Sequence, residues 1–447
     1  MRRIAAALFH AALPAALLTQ LASEPAAAQQ RPVVIVTPGS QQTYRVAVQR
    51  FADGSPAASP ERPAAFRRSL GEALEFSGVF QTIDPGAFLG PEVTVSLEAP
   101  PPVCSDWTQI GADALIEGEI RVDASQRFAE FRVWDTVRCQ RLLRKRYRES
   151  GVGDADVIAR RIADDVVEAF TGVRGVAATE IAFVSSRGGN SEIYVMNANG
   201  SGPRAATANR SINNFPSWSP SGDSIVYTSY RSGNRPMIFI STRGNGRPGR
   251  VLSEQDSRRP QYRGVFDPAG DRLAAVLSVG GAAEIYTVRP GGRRLRRLTN
   301  NHVIDIAPAW SPDGEQIAFV SDRSGAPQIY IMDANGKNVR RLTYDGTYNT
   351  HPAWSPDGRW IAYQSWLEGQ FDIWLIDPDG SANVPLVSHP RSDESPAWAP
   401  DGRKIAFSST RRGRADIYLV DVSGDNLRRL TRNAGINTSP SWGPFPR

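Results

Sequence analysis

The sequence predicts an α/β N-terminal domain, a mixed sheet with two helices, followed by an all-β six-bladed β-propeller. Three observations carry this reading. The phrase Trp-Ser-Pro-Asp-Gly occurs at Trp310-Ser311-Pro312-Asp313-Gly314 and Trp354-Ser355-Pro356-Asp357-Gly358, with looser copies beginning at Trp218, Phe266, Trp398 and Trp442. By subtraction the copies lie 48, 44, 44, 44 and 44 residues apart, and a fixed period in the forties belongs to propellers and similar arrays. Residues 29–172 have no such phrase and alternate strand-like with helix-like runs instead.

Each copy reads as four short strands. The first ends at the Trp, as in Pro352-Ala353-Trp354. Ser-Pro-Asp-Gly then turns the chain, because Pro fixes φ, Asp bonds nearby backbone and Gly tolerates positive φ. The second strand is Ile317-Ala318-Phe319-Val320 and its relatives, beginning with Ile181-Ala182-Phe183. The third is Ile329-Tyr330-Ile331-Met332 and its relatives; the fourth is Arg-Leu-Thr, as at Arg341-Leu342-Thr343. These runs are β-branched or aromatic and are bounded by Gly, Pro, Asn and Asp. The register is offset, since the array starts at a second strand, Ile181, and ends at a first strand, Trp442. A ring in which the Trp442 strand completes the blade begun at Ile181 resolves the offset and leaves few edges.

In the N-terminal domain, Tyr44 to Val48 reads as a strand and 53–63 as a loop rich in Pro, Ala and Ser. Phe66, Leu70, Ala73 and Leu74 then recur at helical spacing, with Gly78 as a stop. Val79 to Ile83 is the next strand, and strand–helix–strand predicts a parallel pair with a crossover helix. Runs at 114–122, 128–136 and 142–148 predict an antiparallel meander. A second helix covers 154–170, with Val157, Ile158, Ile162, Val166 and Phe170 on its apolar face. Residues 173–179 form a short linker, and 180–447 the propeller. Arg138, Arg141, Arg144, Lys145, Arg146 and Arg148 make a basic run on the last meander strand. It reads either as a solvated edge that discourages strand addition or as a docking surface for an acidic partner.

The chain begins as a targeting segment. Arg2 and Arg3 precede a largely apolar run to Leu21, and Ala26-Ala27-Ala28 fits a cleavage site, so residues 1–28 read as a signal peptide. Pro14 and Gln20 interrupt the run, which argues against a permanent span, and no Cys follows it for lipid attachment. The formal charge of +6 becomes +5 once Arg2, Arg3 and Glu24 are removed. Export and this mild bias disfavour nucleic acid and leave acidic proteins or anionic surfaces as partners. Cys104 and Cys139 either pair in the exporting context or remain buried thiols.

Counting back five residues from each blade Trp or Phe gives Asn213, Gln261, Asp305, Asn349, Asp393 and Asn437, all carboxamides or carboxylates. One reading is that Asn and Asp simply begin strands well. The other is a polar ring at the channel mouth, with His351 and Glu394 beside it, that receives a partner segment. Asp305 and Asp393 are also candidates to hold a cation such as calcium with backbone carbonyls, though the spacing is no metal motif. The Asp of each Ser-Pro-Asp-Gly turn reads as structural. The Arg of Ser321-Asp322-Arg323 and Ser185-Ser186-Arg187 reads as a hairpin or inter-blade contact.

Together these pieces resemble the TolB family, the periplasmic propellers of the Tol–Pal system. Ser77-Gly78-Val79-Phe80, the run from Gly111 to Gly118, and Phe170-Thr171-Gly172-Val173-Arg174-Gly175 are similar to the family, and the resemblance covers essentially the whole mature chain. It implies a non-enzymatic adaptor without a cofactor. Such an adaptor binds the lipoprotein Pal through one propeller face and TolA through the mature N-terminus, maintains outer-membrane integrity and supports constriction at division. On this sequence the Pal site falls to Gln261, Asp305, Asn349, His351, Asp393, Glu394 and Asn437. The TolA site falls to Arg31, Val33, Val34, Ile35 and Val36, which alternate as strand addition requires, although Pro32 removes one donor and the family's acidic residue near the start is missing.

Two rival classes leave weaker marks. A propeller hydrolase needs a Ser nucleophile on a catalytic domain, and no G-x-S-x-G occurs. A metal hydrolase needs converging ligands, for which His302, His351 and His389 are the only candidates outside the signal. A glycan-binding propeller would present exposed aromatics, with Trp366 and Trp360 as candidates; Trp360 reads better as packed between blades.

Overall fold

The computed structural model describes residues 43–89, 100–122, 126–150, 155–233, 235–243, 249–251, 259–367, 369–432 and 435–446. The expected signal peptide and the 29–36 segment lie outside the described residues. The N-terminal part runs β1 (Tyr44–Val48), β2 (Ala52–Asp53), α1 (Glu61–Phe76), β3 (Phe80–Thr82), α2 (Cys104–Gln109), β4 (Ala114–Val122), β5 (Gln126–Asp135), β6 (Gln140–Ser150) and α3 (Ala155–Thr171). Its sheet has the order β3-β1-β4-β5-β6, with β2 also on β4. The parallel pair β1–β3 and the meander β4–β5–β6 both form as the sequence predicts, and a second parallel pairing, β1 with β4, joins them.

Period-2 alternation divides the sheet into two faces. Val46, Val48 and Ile116 pack with Phe66, Leu70 and Leu74 of α1 and Ile158, Ile162 and Val166 of α3. The neighbours Ala47 and Leu115 turn the other way, onto Trp134, Trp107 and Ile110. That second face is covered partly by α2, a six-residue helix that hydrophobic periodicity was too short to reveal. The Cys104–Cys139 disulfide ties α2 to the β5–β6 turn, which decides the question left open above. Helix α1 begins within the expected loop, at Glu61, because a Pro in the first turn, here Pro63, costs no helical hydrogen bond. Asp53 shapes the preceding turn by accepting the N–H of Ser55 and Ser59 at 3.0 Å each and Arg62 Nη1 at 2.7 Å.

The basic run lies on β6, the edge strand. Alternate side chains go to opposite faces: Arg144 and Arg146 both hold Glu130, while Lys145 and Tyr147 hold Asp165 of α3. Burial opposes ionisation of Glu130, but the hydrogen bonds from Arg146 and Arg144 prevail and lower its pKa. Much of the run's charge is therefore spent within the domain.

After α3 the chain builds six four-stranded sheets. The sixth combines Asn437–Trp442 with the strands at Glu180–Ser185, Glu192–Asn197 and Arg204–Ala205, pairing Trp442 with Ile181. This is the closure predicted from the offset register. Residues 172–179 are fastened to α3, where Asp164 accepts the N–H of Ala177 at 2.7 Å and of Ala178 at 2.9 Å. Gly175 is needed there, because a Cβ would fall 2.6 Å from Asp164 Oδ1. Burial lifts Asp164 to about 7 despite these donors. Ile181, Met196, Ala399 and Trp442 continue the buried cluster of α1 and α3, so one apolar core runs across the junction.

Candidate functional site

The inner strands of the six blades are Asn213–Trp218, Gln261–Phe266, Asp305–Trp310, Tyr348–Trp354, Asp393–Trp398 and Asn437–Trp442. At their C-terminal ends the Ser-Pro-Asp-Gly turns close on themselves. Ser311 Oγ receives Gln316 N–H at 2.9 Å, and Asp313 receives Glu315 N–H at 3.0 Å. The hydrogen bonds of Ser311 and Glu315 hold Asp313 below the ordinary carboxylate range. The Trp indoles reach the neighbouring blade, as Trp310 Nε1 does to the Val265 carbonyl and Trp398 Nε1 to that of Ala353. This is also the face that the N-terminal domain adjoins: Lys404 Nζ lies 5.5 Å from the Phe76 ring, and Gly78 sits against Asp421. The opposite face, where the inner strands begin, is the open one among the described residues.

The six residues expected to form a receptive polar ring do stand at the starts of these strands, but all six are 0 % exposed. The expectation that Gln261, Asp305, Asn349, Asp393 and Asn437, with Asn213, present polar atoms to a partner is therefore corrected. They are struts. Asn213, Gln261, Asn349 and Asn437 donate their backbone N–H to the preceding blade. The carboxamides also donate their side chains backwards, Asn213 to Glu192 at 2.9 Å, Asn349 to Gln328 at 2.8 Å and Asn437 to Asp416 at 3.1 Å. The carboxylates cannot donate and instead take a guanidinium from their own blade. Arg323 holds Asp305 at 3.1 Å and Arg411 holds Asp393 at 2.9 Å, each Arg also bonding the Ser two residues before it. The Arg of the Ser-x-Arg motif thus braces a hairpin against the inner strand, and Arg187 does the same with Ser185.

Asp305 and Asp393, the candidates for a cation, are each paired to an Arg in this arrangement. No group of three His, Cys, Asp or Glu suited to a metal occurs among the described residues. His389 Nδ1 accepts Arg391 N–H at 3.1 Å, and His351 lies in the channel wall, so the three His do not converge.

What the open face does present is one residue upstream. Ile212, Ile304, Tyr348 and Ile436 immediately precede or begin the inner strands and are 51, 47, 42 and 54 % exposed. Tyr344, Trp366 and Leu367 extend this apolar rim, with Phe371 packed edge-on against both Trp366 and Tyr348. These exposed apolar residues share the face where the inner strands begin. Trp360 packs inside, between blades, as expected.

Along the axis lies a channel, a cavity of about 400 Å³ lined from the bulged middle of the inner strands to the Ser-Pro turns. Two residues after each strut, every inner strand bulges through a non-glycine residue in the left-handed region: Phe215, Arg263, Ala307, His351, Ser395 and Ser439, with φ between 41° and 56°. The bulge breaks the strand register and re-aims side chains, so that Phe215, Arg263, His351, Ser395 and Ser439 line the channel. Burial, with the Arg263 charge adding to it, lowers His351 to about 3, so its imidazole is neutral at neutral pH. Glu394 is half-buried, and burial, reinforced by Asp393, raises its pKa. The sequence reading missed the rim and most of these wall residues. Their signal was present as the positions where the repeat stops repeating: Phe, Arg, Ala, His, Ser, Ser at one offset, against six carboxamides or carboxylates at another.

A model of the TolB amino-terminal domain matches residues 32–142, and one of the TolB beta propeller domain matches residues 167–445. The chain belongs to the TolB family. The Tol-Pal system protein TolB of Anaeromyxobacter dehalogenans is 35 % identical over 300 residues, 67 % of each chain. The Tol-Pal system protein TolB of Desulfosudis oleivorans is 38 % identical over 232 residues, 52 % of each. The crystal structure of TolB from Acinetobacter baumannii superposes with a TM-score of 0.72 at 22 % identity, over 90 % of this chain and 97 % of that one. That likeness shows that the TolB fold is the fold here.

Proposed function

We propose that this protein is a non-enzymatic periplasmic adaptor of the Tol–Pal system, docking Pal on the open face of its propeller. The single observation that carries the reading is the apolar rim of Ile212, Ile304, Tyr348 and Ile436, on the face away from the N-terminal domain. Family membership supports Pal as the partner, and the geometry favours the rim over the struts as the contact. His351 and Glu394, beside the struts and not wholly buried, remain in the proposed contact. TolA is the proposed partner of Arg31, Val33, Val34, Ile35 and Val36. Together the two contacts would serve outer-membrane integrity and constriction at division. The adaptor requires no cofactor.

Capture of Pal from envelope extract tests this. Protein expressed from residue 29 should retain Pal, a variant with Ile212, Ile304 and Ile436 all changed to Asp should lose most of it, and deletion of 29–36 should lose TolA but keep Pal. Equal capture by the rim variant would remove the site assignment, and absence of Pal from the wild-type capture would remove the partner.

A further inference from the structure

Arg263 differs from the arginines that brace the blades. Arg272, Arg297, Arg323, Arg411 and Arg429 each hold a carboxylate at 2.6–3.1 Å. Arg263 instead projects from an inner strand, and among the described residues its guanidinium has no acceptor. Its one neighbour of note is the Phe215 ring, 5.9 Å away. An arginine carries five donors and stays charged, and Arg263 is partly buried, so its guanidinium, left without a protein acceptor, favours an anion beside it. Burial alone pulls Arg263 down to about 10.

The rest of the wall does not offset the charge. Asp267 is the carboxylate of the lining, and it is occupied by Arg272 Nε at 2.8 Å and by the N–H groups of Asp271 and Arg272. His351 is neutral, and Ser395 and Ser439 contribute hydroxyls. Next to the bulge residues stand Pro216, Pro308, Pro352, Pro396 and Pro440, which have no N–H. In Arg263's own strand that place is taken by Gly264, where a Cβ would approach Ile238 and Val226 to 3.1 Å. The channel therefore has a net positive, planar donor array on one wall and an otherwise weakly polar lining.

We infer that the axial channel is a carboxylate site, in which Arg263 receives one acidic side chain of the protein docked on the open face. The sign is opposite to that of a calcium site, since an unpaired guanidinium repels a cation. Guanidinium and carboxylate match in a two-pronged, charge-assisted pair. A cavity of about 400 Å³ holds a side chain comfortably, and the apolar rim lies on the face where the inner strands begin. The inference rests on the docking reading above for the source of the carboxylate, but not for the site itself.

Two measurements separate the two. Selective ¹⁵N-arginine labelling gives the Arg263 Nε–Hε resonance, assigned by its loss in Arg263→Met. Titration with acetate should shift that resonance in the millimolar range, whereas equal ionic strength of sodium chloride should move it far less. Affinity for purified Pal is then compared in wild type, Arg263→Met and Arg263→Lys, with thermal melts to show that the variants fold. Arg263→Met should weaken Pal binding tenfold or more, and Arg263→Lys should recover part of the loss. No acetate shift overturns the carboxylate site whatever Pal does. An acetate shift with Pal affinity unchanged in Arg263→Met overturns the assignment of its carboxylate to the docked partner. Failure of wild type to bind Pal at all sinks the docking reading and leaves the acetate result to decide the site.

Discussion

Two concentric sets of residues, one position apart in most blades, behave in opposite ways. Asn213, Asp305, Asn349 and Asn437 are sealed from solvent, while Ile212, Ile304, Tyr348 and Ile436 just before them stand about half exposed. The usual assignment of polar outside and apolar inside is inverted here. The carboxamide struts connect two blades and Asp305 holds an arginine of its own, all at buried positions, so each needs hydrogen-bonding groups. Each rim residue is where the connection from the preceding blade crosses the open face, and its apolar side chain serves nothing within the fold. Regularity around the ring therefore marks architecture, and the exposed apolar residues without a structural duty are the ones proposed above as the contact.

The comparison can be broken at the struts first. Asp393→Ala strands Arg411, whose side chain is 11 % exposed, and should cost about 3–5 kcal/mol, the usual penalty for orphaning a buried charge. Urea unfolding measures it; a loss below about 1 kcal/mol would mean the strut bears little. Asn437→Ala leaves Asp416 and Ser185 without one partner each and should cost about 1–3 kcal/mol. Because it sits in the closing blade, it should also speed unfolding, read by stopped-flow fluorescence.

Acid sharpens the contrast further. His351 has a folded pKa lowered to about 3, so the unfolded chain binds the extra proton, and stability falls as pH drops below about 6.5 toward 3. Partial exposure to the channel limits the effect to about 1 kcal/mol at pH 5.5. His351→Ser, the residue type that two other blades use, should flatten that part of the stability–pH curve in thermal melts. The smallest change belongs to the rim: Ile304→Asp should alter stability by only about 0.5 kcal/mol. A much larger loss would show that the rim is part of the fold after all.

The repeat made the architecture readable because each blade states the same instructions. The 44-residue interval, the turn residues and the mismatch between Ile181 and Trp442 fix six sheets and their closure. Helices α1 and α3 were readable from their apolar stripes; α2 was not, since six residues are less than two turns and its position depends on a disulfide between distant cysteines. The struts were located correctly along the chain and misread in accessibility. Sequence spacing places Asp393 at a strand start but does not reveal that Arg411, 18 residues later, folds back to cover it. Arg263 and Phe215 were invisible for a related reason: only the bulge, a register break within an inner strand, turns them to the axis.

The closing strand sets a condition on how the molecule comes into being. Asn437–Trp442 is the last strand of the array, yet it forms the innermost strand of the sheet that opens the array, and the Trp442 indole bonds Thr179 at 2.8 Å, beside the junction with α3. Until those residues leave the ribosome, one blade lacks its centre and the junction lacks its plug. A product lacking Asn437–Trp442 would be an open arc with a bare apolar flank, ready for a protease. Closure of the ring thus waits on the last strand of the array.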